Sequence, residues 1–351
     1  MKIHLLSGFL GSGKTTAIHQ AAVQLIQAGQ KIGVITNDQG MILVDHGLFK
    51  NQNIPSKQVI NGCFCCNYQD LDDNIQALLE EHQVEVIFAE SVGSCTDIVA
   101  TVLKPLLQYR PIAQVSLSTF ADVRLLQLIL GENASSFDES ILYIFKKQLE
   151  EAGIIVVTKI DLISAEALDE IQELMQEKFG EKILLYQNTF DQDSLKTWLD
   201  TIDANTQTSQ LKSLQIDYDT YAQGEARLAW LDQSMEVSGE NALQGTEYLI
   251  NEIYHKTVAQ GYNIGHLKFL IDGETKVSFT NNFQAAAQLN IFPKSSVNLL
   301  LNMRVESTPE EIQHLIREAC RTIESQYDYK LSLHQEAAFQ PGYPRPIFRM
   351  S

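Results

Sequence analysis

The sequence has little positive charge. Its 351 residues include 26 Lys and Arg against 44 Asp and Glu, which gives a formal net charge of −18 at pH 7. An acidic surface of this kind is repelled by phosphate backbones and by anionic lipid headgroups. The composition therefore argues against nucleic acid and against a membrane surface as partners.

Long apolar runs are also lacking. No stretch approaches the roughly eighteen apolar residues of a membrane-spanning helix. No signal-peptide pattern is present, because Lys2 leads directly into a short apolar segment. Hydrophobic residues make up 44% and charged residues 20% of the chain, values typical of a globular protein in solution. We therefore expect a cytoplasmic protein with no membrane partner.

Cysteine is scarce and unevenly placed. Three of the five cysteines, Cys63, Cys65 and Cys66, fall within four positions. Such clustering is not the pattern of a disulfide framework. In a chain expected to stay in a reducing compartment, it indicates metal or redox chemistry instead.

The order of apolar segments predicts two domains. Short apolar runs alternate with helical patterns up to a polar linker at Asp203–Ser213, as in parallel βα units. Beyond the linker, a hairpin turn at Asp272–Gly273 and a capping box beginning at Thr308 mark a different pattern. We predict an α/β domain with a mainly parallel sheet over residues 1–205 and a smaller α+β domain over residues 214–351. The strands predicted in the first domain are Ile3–Leu6, Lys31–Thr36, Val84–Glu90, Val115–Phe120 and Ile154–Thr158, with helices at Lys14–Gln27 and Ser164–Phe179.

A phosphate-binding loop is the clearest motif. Residues 8–16 read GFLGSGKTT, which meets the pattern G-x-x-x-x-G-K-[ST] through Gly8, Gly13, Lys14 and Thr15. The glycines let backbone N–H groups turn inward at a helix N-terminus, where the helix dipole also favours phosphate. Lys14 would reach the β- and γ-phosphates, and the Thr15 hydroxyl would ligate Mg²⁺. The motif predicts a P-loop NTPase domain; the alternative is a fortuitous glycine-rich turn.

An acidic residue closes one of the predicted strands. Glu90 ends the run Val84–Glu90, and Gly93 follows shortly after it. In a P-loop protein, an acid at this position holds Mg²⁺ or its water, and the glycine lets a backbone N–H approach the γ-phosphate. The alternative interpretation is a glutamate that caps a helix.

The run Thr158-Lys159-Ile160-Asp161 predicts a preference for guanine. The Asp161 carboxylate can accept hydrogen bonds from guanine N1–H and N2–H₂, while the Lys159 stem packs along the base. Adenine has no matching donors, so the run indicates GTP. Thr158 stands where asparagine is usual, which weakens the positioning of the base. A plain solvated turn is the alternative.

The cysteine triplet predicts a site for a soft metal ion. Adjacent residues point in different directions, so Cys63, Cys65 and Cys66 are not all expected to be core residues. Thiolates prefer Zn²⁺ or Cu⁺, and they also accept Co²⁺ or Ni²⁺. Three sulfurs leave a tetrahedral ion one ligand short, which suits a site that must release its ion. Buried small apolar residues or a redox pair are the alternatives.

Together these motifs resemble a known family. GFLGSGKTT, NGCFCC, the acid with its following glycine, and TKID, in this order, resemble the CobW-like GTPases, relatives of the hydrogenase- and urease-maturation GTPases. The resemblance covers residues 1–200 closely and continues weakly at Gly265–Lys268. It implies a GTP-hydrolysing metallochaperone or insertase that binds Mg²⁺ and delivers Zn²⁺, Co²⁺ or another metal to a client metalloprotein. It is also compatible with a homodimer, because P-loop proteins of this class often work as dimers.

The resemblance implies roles in hydrolysis and phosphate binding. Lys14, Asp38 and Glu90 would serve hydrolysis, and Thr15 and Glu90 would hold Mg²⁺. No arginine finger is recognisable, so we expect hydrolysis at roughly the 10⁻⁴ to 10⁻² s⁻¹ of unassisted switch GTPases. The residues implied to bind the nucleotide phosphates are Gly11, Ser12, Gly13, Lys14, Thr15 and Thr16.

The same resemblance implies two further sets of ligands. Guanine would contact Lys159 and Asp161. The transported metal would be bound by Cys63, Cys65 and Cys66.

The chain departs from the family pattern at its first switch segment. That segment usually reads Asn-Glu-Phe-Gly-Glu, whereas Asn37–Met41 reads Asn-Asp-Gln-Gly-Met. Asp38 retains an acidic side chain at the second position, whereas Met41 stands where the second acid is usual. Any contribution of that second acid to metal binding or to positioning water must therefore be made differently in this chain.

A fourth cysteine lies five residues after Glu90, in a segment expected to respond to the γ-phosphate. We hypothesise that Cys95 becomes a fourth metal ligand in one nucleotide state; a buried free thiol is the alternative. For the whole protein, two other classes stay open. One is a metal sink or sensor in which nucleotide is structural, and the other is a P-loop small-molecule kinase, which would leave the cysteines unexplained.

Overall fold

The computed structural model describes residues 1–40, 44, 49, 52–130, 137–204, 208–282 and 284–351. These residues form two compact units. The chain leaves the first unit after Gln39 and again after Gly224, and it returns at Gln52 and at Tyr343. The predicted domain boundary between residues 205 and 214 stays a prediction. Unit 1 comprises Met1–Gln39, Gln52–Gly224 and Tyr343–Ser351, and unit 2 comprises Gly40–Asn51 and Glu225–Gly342.

Unit 1 contains a seven-stranded sheet in the order β3-β2-β4-β1-β5-β6-β7, and every pairing in it is parallel. The α/β class predicted for this part of the chain is confirmed. Almost every residue of its central strands is buried, as expected for a parallel sheet with helices on both faces. The strands are β1 (Lys2–Ser7), β2 (Ile32–Asn37), β3 (Ser56–Val59), β4 (Val86–Glu90), β5 (Gln114–Asp122), β6 (Ile154–Thr158) and β7 (Ile183–Gln187).

Helices connect these strands. The predicted helix at Lys14–Gln27 has the observed bounds, and Ser164 caps its helix by accepting a hydrogen bond from the Ala167 N–H. A π-helical turn at Val99–Leu103 leads directly into the third helix. The helices described in unit 1 are α1 (Lys14–Gln27), α2 (Tyr68–His82), α3 (Lys104–Tyr109), α4 (Val123–Leu130), α5 (Glu139–Glu151), α6 (Ala165–Phe179) and α7 (Gln192–Ala204), and α8 (Tyr218–Ala226) spans the boundary after Gly224.

The sheet topology decides where a ligand can bind. In a parallel sheet, the carboxyl ends of all strands lie at one edge, and ligands bind in the loops that follow them. β1 pairs with β4, and β4 pairs with β2, so the loops after these three strands are neighbours. Leu6, Glu90 and Thr36 lie side by side in this register near those strand ends.

Unit 2 contains a five-stranded antiparallel sheet in the order β10-β9-β11-β8-β12 together with helices, which confirms the predicted α+β class. Asp272 and Gly273 have φ values of 50° and 75°, as a two-residue hairpin turn requires. The predicted capping box joins Thr308 and Glu311 in both directions. The elements are β8 (Leu228–Ser238), α9 (Ala242–Ala259), β9 (Ile264–Ile271), β10 (Thr275–Phe279), β11 (Ser296–Glu306), α10 (Pro309–Gln326) and β12 (Lys330–Phe339).

A buried charged cluster lies in the sheet of unit 2. Arg304 and Asp232 form an ion pair at 2.7 Å with both side chains 0% exposed. Asn302 Nδ2 donates to Asp232 Oδ1 at 2.8 Å, and Asn302 Oδ1 accepts the backbone N–H of Val44 at 2.9 Å. A Cβ atom on Gly40 would lie 1.9 Å from Asp232 Oδ2. The cluster therefore binds backbone from the segment that follows Asp38.

Within the described parts of the chain, no helix combines the length and the apolar character that crossing a membrane requires.

A buried carboxyl group ends helix α5. Glu151 accepts the backbone N–H of Val99 at 3.2 Å and is hydrogen-bonded to Thr96 Oγ1 at 3.1 Å. Burial raises its pKa to about 8, and the nearby charge of Asp97 acts in the same direction. The protonated form is therefore the one that the fold favours.

Replacing Glu151 should change how stability depends on pH. The folded pKa of about 8 lies above the unfolded value of 4.5, so the folded state binds the extra proton between these values. Stability must then fall as pH rises from about 5 to about 8. In the wild-type protein the free energy of unfolding should fall by on the order of a few kcal/mol across this window. We expect this fall to be absent in Glu151→Gln, whose side chain is neutral and similar in shape. Urea unfolding at a series of pH values measures it.

Glu150→Gln is the matched control, because Glu150 is exposed and pairs with Lys147. The assignment is wrong if the wild-type protein and Glu151→Gln show the same pH dependence.

Candidate nucleotide and metal site

The phosphate loop connects β1 to α1. Gly8, Gly11 and Gly13 all have φ in the left-handed region, at 125°, 71° and 91°. Only glycine adopts these angles without strain. A Cβ atom on Gly8 would lie 2.1 Å from the carbonyl oxygen of Phe120, so the loop can pass β5 only with glycine there. The loop ends at the N-terminus of α1, where backbone N–H groups and the helix dipole favour an anion.

Lys14, Thr15 and Glu90 lie together at this loop. Lys14 Nζ donates to the carbonyl oxygens of Gly8 and Phe9 at 2.7 and 3.2 Å, and it lies 4.0 Å from Glu90 Oε1. The Thr15 hydroxyl donates to both carboxylate oxygens of Glu90 at 2.9 Å. The contact exists because Glu90 ends β4 next to β1, from which the loop leaves.

The donor set suits Mg²⁺ and phosphate. The Thr15 hydroxyl and the Glu90 carboxylate are hard oxygen ligands, the kind that Mg²⁺ prefers. Among the described residues, the buried hydroxyls of Ser12, Thr36 and Ser91 have no hydrogen-bonding partner. All three belong to the strand ends or to the loops that follow β1, β2 and β4. The residues present therefore fit a bound triphosphate and its cation.

The segment after Glu90 packs against the phosphate loop. A Cβ atom on Gly93 would lie 2.9 Å from the backbone nitrogen of Leu10. Glycine is therefore required for this close approach. The backbone of residues 91–93 therefore adjoins the phosphate loop.

The run Thr158–Asp161 is tied to the phosphate loop by two side chains. Thr158 Oγ1 donates to the Ser12 carbonyl at 2.8 Å, and Lys159 Nζ donates to the Gly11 carbonyl at 2.7 Å. Lys159 has φ 61°, and Asp161 follows on a short, exposed 3₁₀ turn. Thr158, at the position where asparagine is usual, is thus hydrogen-bonded directly to the phosphate loop.

A second acid near this run has no counterpart in the sequence predictions. Asp122 ends β5 and accepts hydrogen bonds from Lys159 at 2.8 Å and from Arg124 at 2.7 Å. Burial acts to raise its pKa, but the Arg124 hydrogen bond and the Lys159 charge outweigh it, so the pKa is lowered. The sequence analysis missed Asp122 because it ended the predicted strand at Phe120, whereas β5 continues to Asp122.

The cysteines lie on a loop, residues 61–67, between β3 and α2. Asn37 at the end of β2 holds the first half of this cysteine loop. Its Nδ2 donates to the carbonyls of Val59 and Gly62 at 3.1 and 2.7 Å, and its Oδ1 accepts the Phe64 N–H at 2.8 Å. Gly62 has φ 153°, and a Cβ atom there would lie 2.5 Å from Asn67 Nδ2.

The three predicted thiols are brought together on this loop. The sulfurs of Cys63, Cys65 and Cys66 all lie within 4.8 Å of one another, with 3.8 Å between those of Cys65 and Cys66. Cys63 and Cys65 are buried, whereas Cys66 is partly exposed. Hydrogen bonds from Cys65 and then Cys66 hold the pKa of Cys63 well below the usual thiol value. The thiolate is the form that binds metal.

The neighbouring thiols hold the protons instead. The hydrogen bond to Cys63 raises the pKa of Cys65 well above its usual value. The same partner is the main cause that raises the pKa of Cys66 to about 11. The cluster thus favours one thiolate stabilised by protonated neighbours.

Cys95 joins the cluster from the segment after β4. Its buried side chain is hydrogen-bonded to the thiols of Cys63 and Cys65. Its backbone is held by Gln148, whose Nε2 donates to the Cys95 carbonyl at 2.8 Å and to the Gly93 carbonyl at 2.9 Å. The segment that packs on the phosphate loop therefore also carries a fourth thiol.

Asp38 directly follows Asn37. It is half-buried, and its N–H donates to the Val59 carbonyl at 3.2 Å. The lost acid at Met41 lies outside the described residues. Gly11, Ser12, Gly13 and Thr16 lie on the phosphate loop and the first turn of α1, as their places in the motif require.

The parallel sheet, the glycine-rich loop leading into α1 and the acid at the end of β4 define a P-loop nucleotide-binding protein. Residues 2–185 match the nucleotide-binding domain of the CobW/HypB/UreG family, and the chain belongs to this family.

Several characterised proteins are similar to this chain. Zinc chaperone YeiR of Escherichia coli (strain K12) is 28% identical over 193 residues, 53% of this chain and 54% of that protein. Zinc-regulated GTPase metalloprotein activator 1 of Dictyostelium discoideum is 28% identical over 207 residues, 50% of this chain and 43% of that protein. HypB from Helicobacter pylori, in its crystal structure in complex with nickel, is 15% identical in sequence to this chain, with a TM-score of 0.44. The match covers 61% of this chain and 91% of the HypB chain. The chain spans about half the length of the curated relatives it matches.

Loss of the Asn37 side chain should loosen the cysteine loop. Asn37→Ala removes three hydrogen bonds to the loop and to Val59. We expect a stability loss of about 1–3 kcal/mol and faster alkylation of Cys63 and Cys65 by iodoacetamide. Urea unfolding and mass spectrometry of the alkylated protein measure these effects.

Asn74→Ala is the control, because Asn74 Nδ2 donates a hydrogen bond to the Gln58 carbonyl in β3, outside the cysteine loop. Equal thiol reactivity in the two variants would show that Asn37 does not hold the loop.

Proposed function

We propose that this protein is a GTP-hydrolysing metallochaperone that binds a transition metal, zinc or cobalt, and transfers it to a client metalloprotein. The observation that carries the proposal is the position of Asn37. It ends the strand beside Glu90 and, through its side chain, holds the loop of the three cysteines. The proposed nucleotide site and the thiol cluster thus lie at the ends of two neighbouring strands, β4 and β2.

The guanine assignment is supported by Lys159 and Asp161. Lys159 Nζ is held against the phosphate loop by its hydrogen bond to the Gly11 carbonyl, which supports a contact of its stem with the bound base. Asp161 is exposed on the following turn, where its carboxylate can accept hydrogen bonds from a base. A relative named zinc-regulated GTPase metalloprotein activator 1 supports the guanine assignment, and a relative named zinc chaperone supports the metal assignment.

In the proposed hydrolysis, water attacks the γ-phosphorus and the bond to the β–γ bridging oxygen breaks, which yields GDP and inorganic phosphate. Lys14 would exchange its contacts with the Gly8 and Phe9 carbonyls for phosphate oxygens. Glu90 and Asp38 would orient the water, and Glu90 with Thr15 would hold Mg²⁺. When bound, this cation neutralises charge that develops on the phosphates.

Two segments would transmit the change to the metal. Asp38 is joined to Asn37 and hence to the cysteine loop. Residues 91–93 lead to Cys95, which touches Cys63 and Cys65. Loss of the γ-phosphate relaxes contacts of this kind in switch proteins. A shift of either segment would change the geometry of the sulfurs and hence the affinity for metal.

Zinc and cobalt suit the donor set, because thiolate clusters bind borderline-soft ions in tetrahedral sites. The competing interpretation is a metal sink or sensor in which nucleotide is structural. That alternative predicts a metal affinity that does not depend on the nucleotide.

Metal affinity should depend on the bound nucleotide. We expect the dissociation constants for Zn²⁺ and Co²⁺ to differ tenfold or more between a non-hydrolysable GTP analogue and GDP, which is about 1.4 kcal/mol of coupling. Competition with a chromophoric chelator measures both constants. In Lys14→Ala the difference should disappear, since the phosphates lose their cationic partner. Equal affinities in the wild-type protein would establish the sink or sensor instead.

We further propose that Cys95 is a fourth metal ligand in one nucleotide state. Cys95→Ser replaces a thiolate by a poor zinc ligand, so it should weaken metal binding in that state and change the ratio of the two affinities. The intensity of the Co²⁺–thiolate absorption in each state should fall only where Cys95 ligates. Cys320→Ser, at a buried thiol on α10, is the control. An unchanged ratio in Cys95→Ser would exclude the fourth ligand.

A further inference from the structure

Residues 343–351, here called the strap, lie across the cysteine loop within unit 1. The Arg345 N–H donates to Cys66 Sγ at 3.3 Å, and the Ile347 N–H donates to the Cys65 carbonyl at 2.9 Å. Pro344 and Pro346 have no N–H group. Arg345 and Ile347 therefore provide the backbone donors of this stretch, and both are directed at the cysteine loop.

The strap binds as an extended segment. Pro344 is buried, and Pro346, Phe348 and Met350 are half-buried, while the residues between them are exposed. This period of two is that of an extended chain with one face against the protein. The Phe348 ring lies 5.1 Å from the Tyr68 ring in an edge-on arrangement and 5.4 Å from the Tyr109 ring. Tyr68 follows the cysteine loop directly, so the aromatic contact adjoins the thiols.

A charged contact holds the other end of the strap. Arg349 Nε donates to Asp97 Oδ2 at 2.8 Å, and the Met350 N–H donates to the Ala100 carbonyl at 2.9 Å. Asp97 is 1% exposed, and within the described part of the chain its Oδ1 has no hydrogen-bonding partner. A buried carboxylate is stable as an anion only with a cation beside it. Asp97 lies two residues after Cys95, so the strap bridges both thiol-bearing segments.

The strap covers the most accessible thiol. Cys66 is partly exposed, whereas the other three clustered thiols are buried. A ligand from a client that takes over the metal must approach from the accessible side. Since the Arg345 N–H already binds the Cys66 sulfur, a client ligand that reaches this sulfur competes with the strap.

Resting on the proposed function, we propose that the surface beneath the strap is the docking surface for the client, and that the strap occupies it until a client segment displaces it. The fitting segment is extended, apolar on one face, aromatic at the position of Phe348 and cationic where Arg349 meets Asp97. The net charge of −18 also favours a basic segment. The strap-binding surface is formed by Cys65, Cys66, Tyr68, Asp97, Ala100 and Tyr109.

The reactivity of Cys66 tests the proposal. Iodoacetamide alkylation, followed by mass spectrometry, is compared in the full chain and in a variant that lacks residues 343–351. We expect Cys66 to react at least tenfold faster without the strap. Arg345→Pro, which removes the N–H that reaches Cys66, and Phe348→Ala should show the same direction of change and keep the test valid if the deletion variant does not fold. Arg317→Ala, which breaks an exposed ion pair with Glu336, is the control.

A synthetic peptide of residues 342–351 tests the surface as a docking site. Added to the deletion variant, or to Phe348→Ala, it should bind and restore protection of Cys66. A peptide carrying Arg349→Glu should bind at least tenfold more weakly, because it places an anion against Asp97. Failure of the peptide to bind either variant, or equal Cys66 reactivity with and without the strap, would overturn the proposal.

These measurements need neither nucleotide nor metal, so they are separate from the test of the proposed function. If the strap protects Cys66 but metal affinity does not depend on the nucleotide, the docking surface is supported and the proposed coupling to GTP is wrong. If metal affinity depends on the nucleotide but the strap does not protect Cys66, the coupling to GTP is supported and the docking surface is wrong.

Discussion

The side-chain amide of Asn37 is the interaction on which the arrangement of the site depends. An amide carries both donors and acceptors, and Asn37 uses both kinds to hold Val59, Gly62 and Phe64. The cysteine loop begins with two residues at positive φ, Asn61 and Gly62. A turn within the loop, in which the Cys63 carbonyl accepts the N–H groups of Cys66 and Asn67, brings the sulfurs together, and Asn37 fixes that turn to the end of β2.

A second constraint is the sharing of protons among sulfurs. Neighbouring thiols lower the pKa of Cys63 and raise those of Cys65 and Cys66 through the same hydrogen bonds. A metal ion replaces protons at such a cluster, so its binding must release protons and depend on pH. Geometry and charge at the cluster are therefore set by the same few contacts.

Some of this structure follows from the sequence and some does not. The phosphate loop and strand β6 were predictable because their signals are local: a spaced glycine motif and a continuous apolar run. Strands β3 and β7 were missed, since they are edge strands with half-exposed residues and lack such runs.

The partners within the site were harder to predict. The role of Asn37 depends on bonds to residues more than twenty positions away, and that of Arg349 on a carboxylate near Cys95. No local pattern encodes contacts of this range. The sequence did allow a hypothesis about Cys95, because motif order placed it in the segment after Glu90.

The contact of Gly40 with the charged cluster of unit 2 has an evolutionary consequence. Any side chain at residue 40 would collide with Asp232 Oδ2, and that oxygen belongs to a carboxylate held by Arg304 and Asn302. Removing one partner of a buried ion pair costs about 3–5 kcal/mol. A change at position 40 is therefore tolerable only with compensating changes at Asp232 and Arg304. Homologous sequences should show these distant positions varying together or not at all.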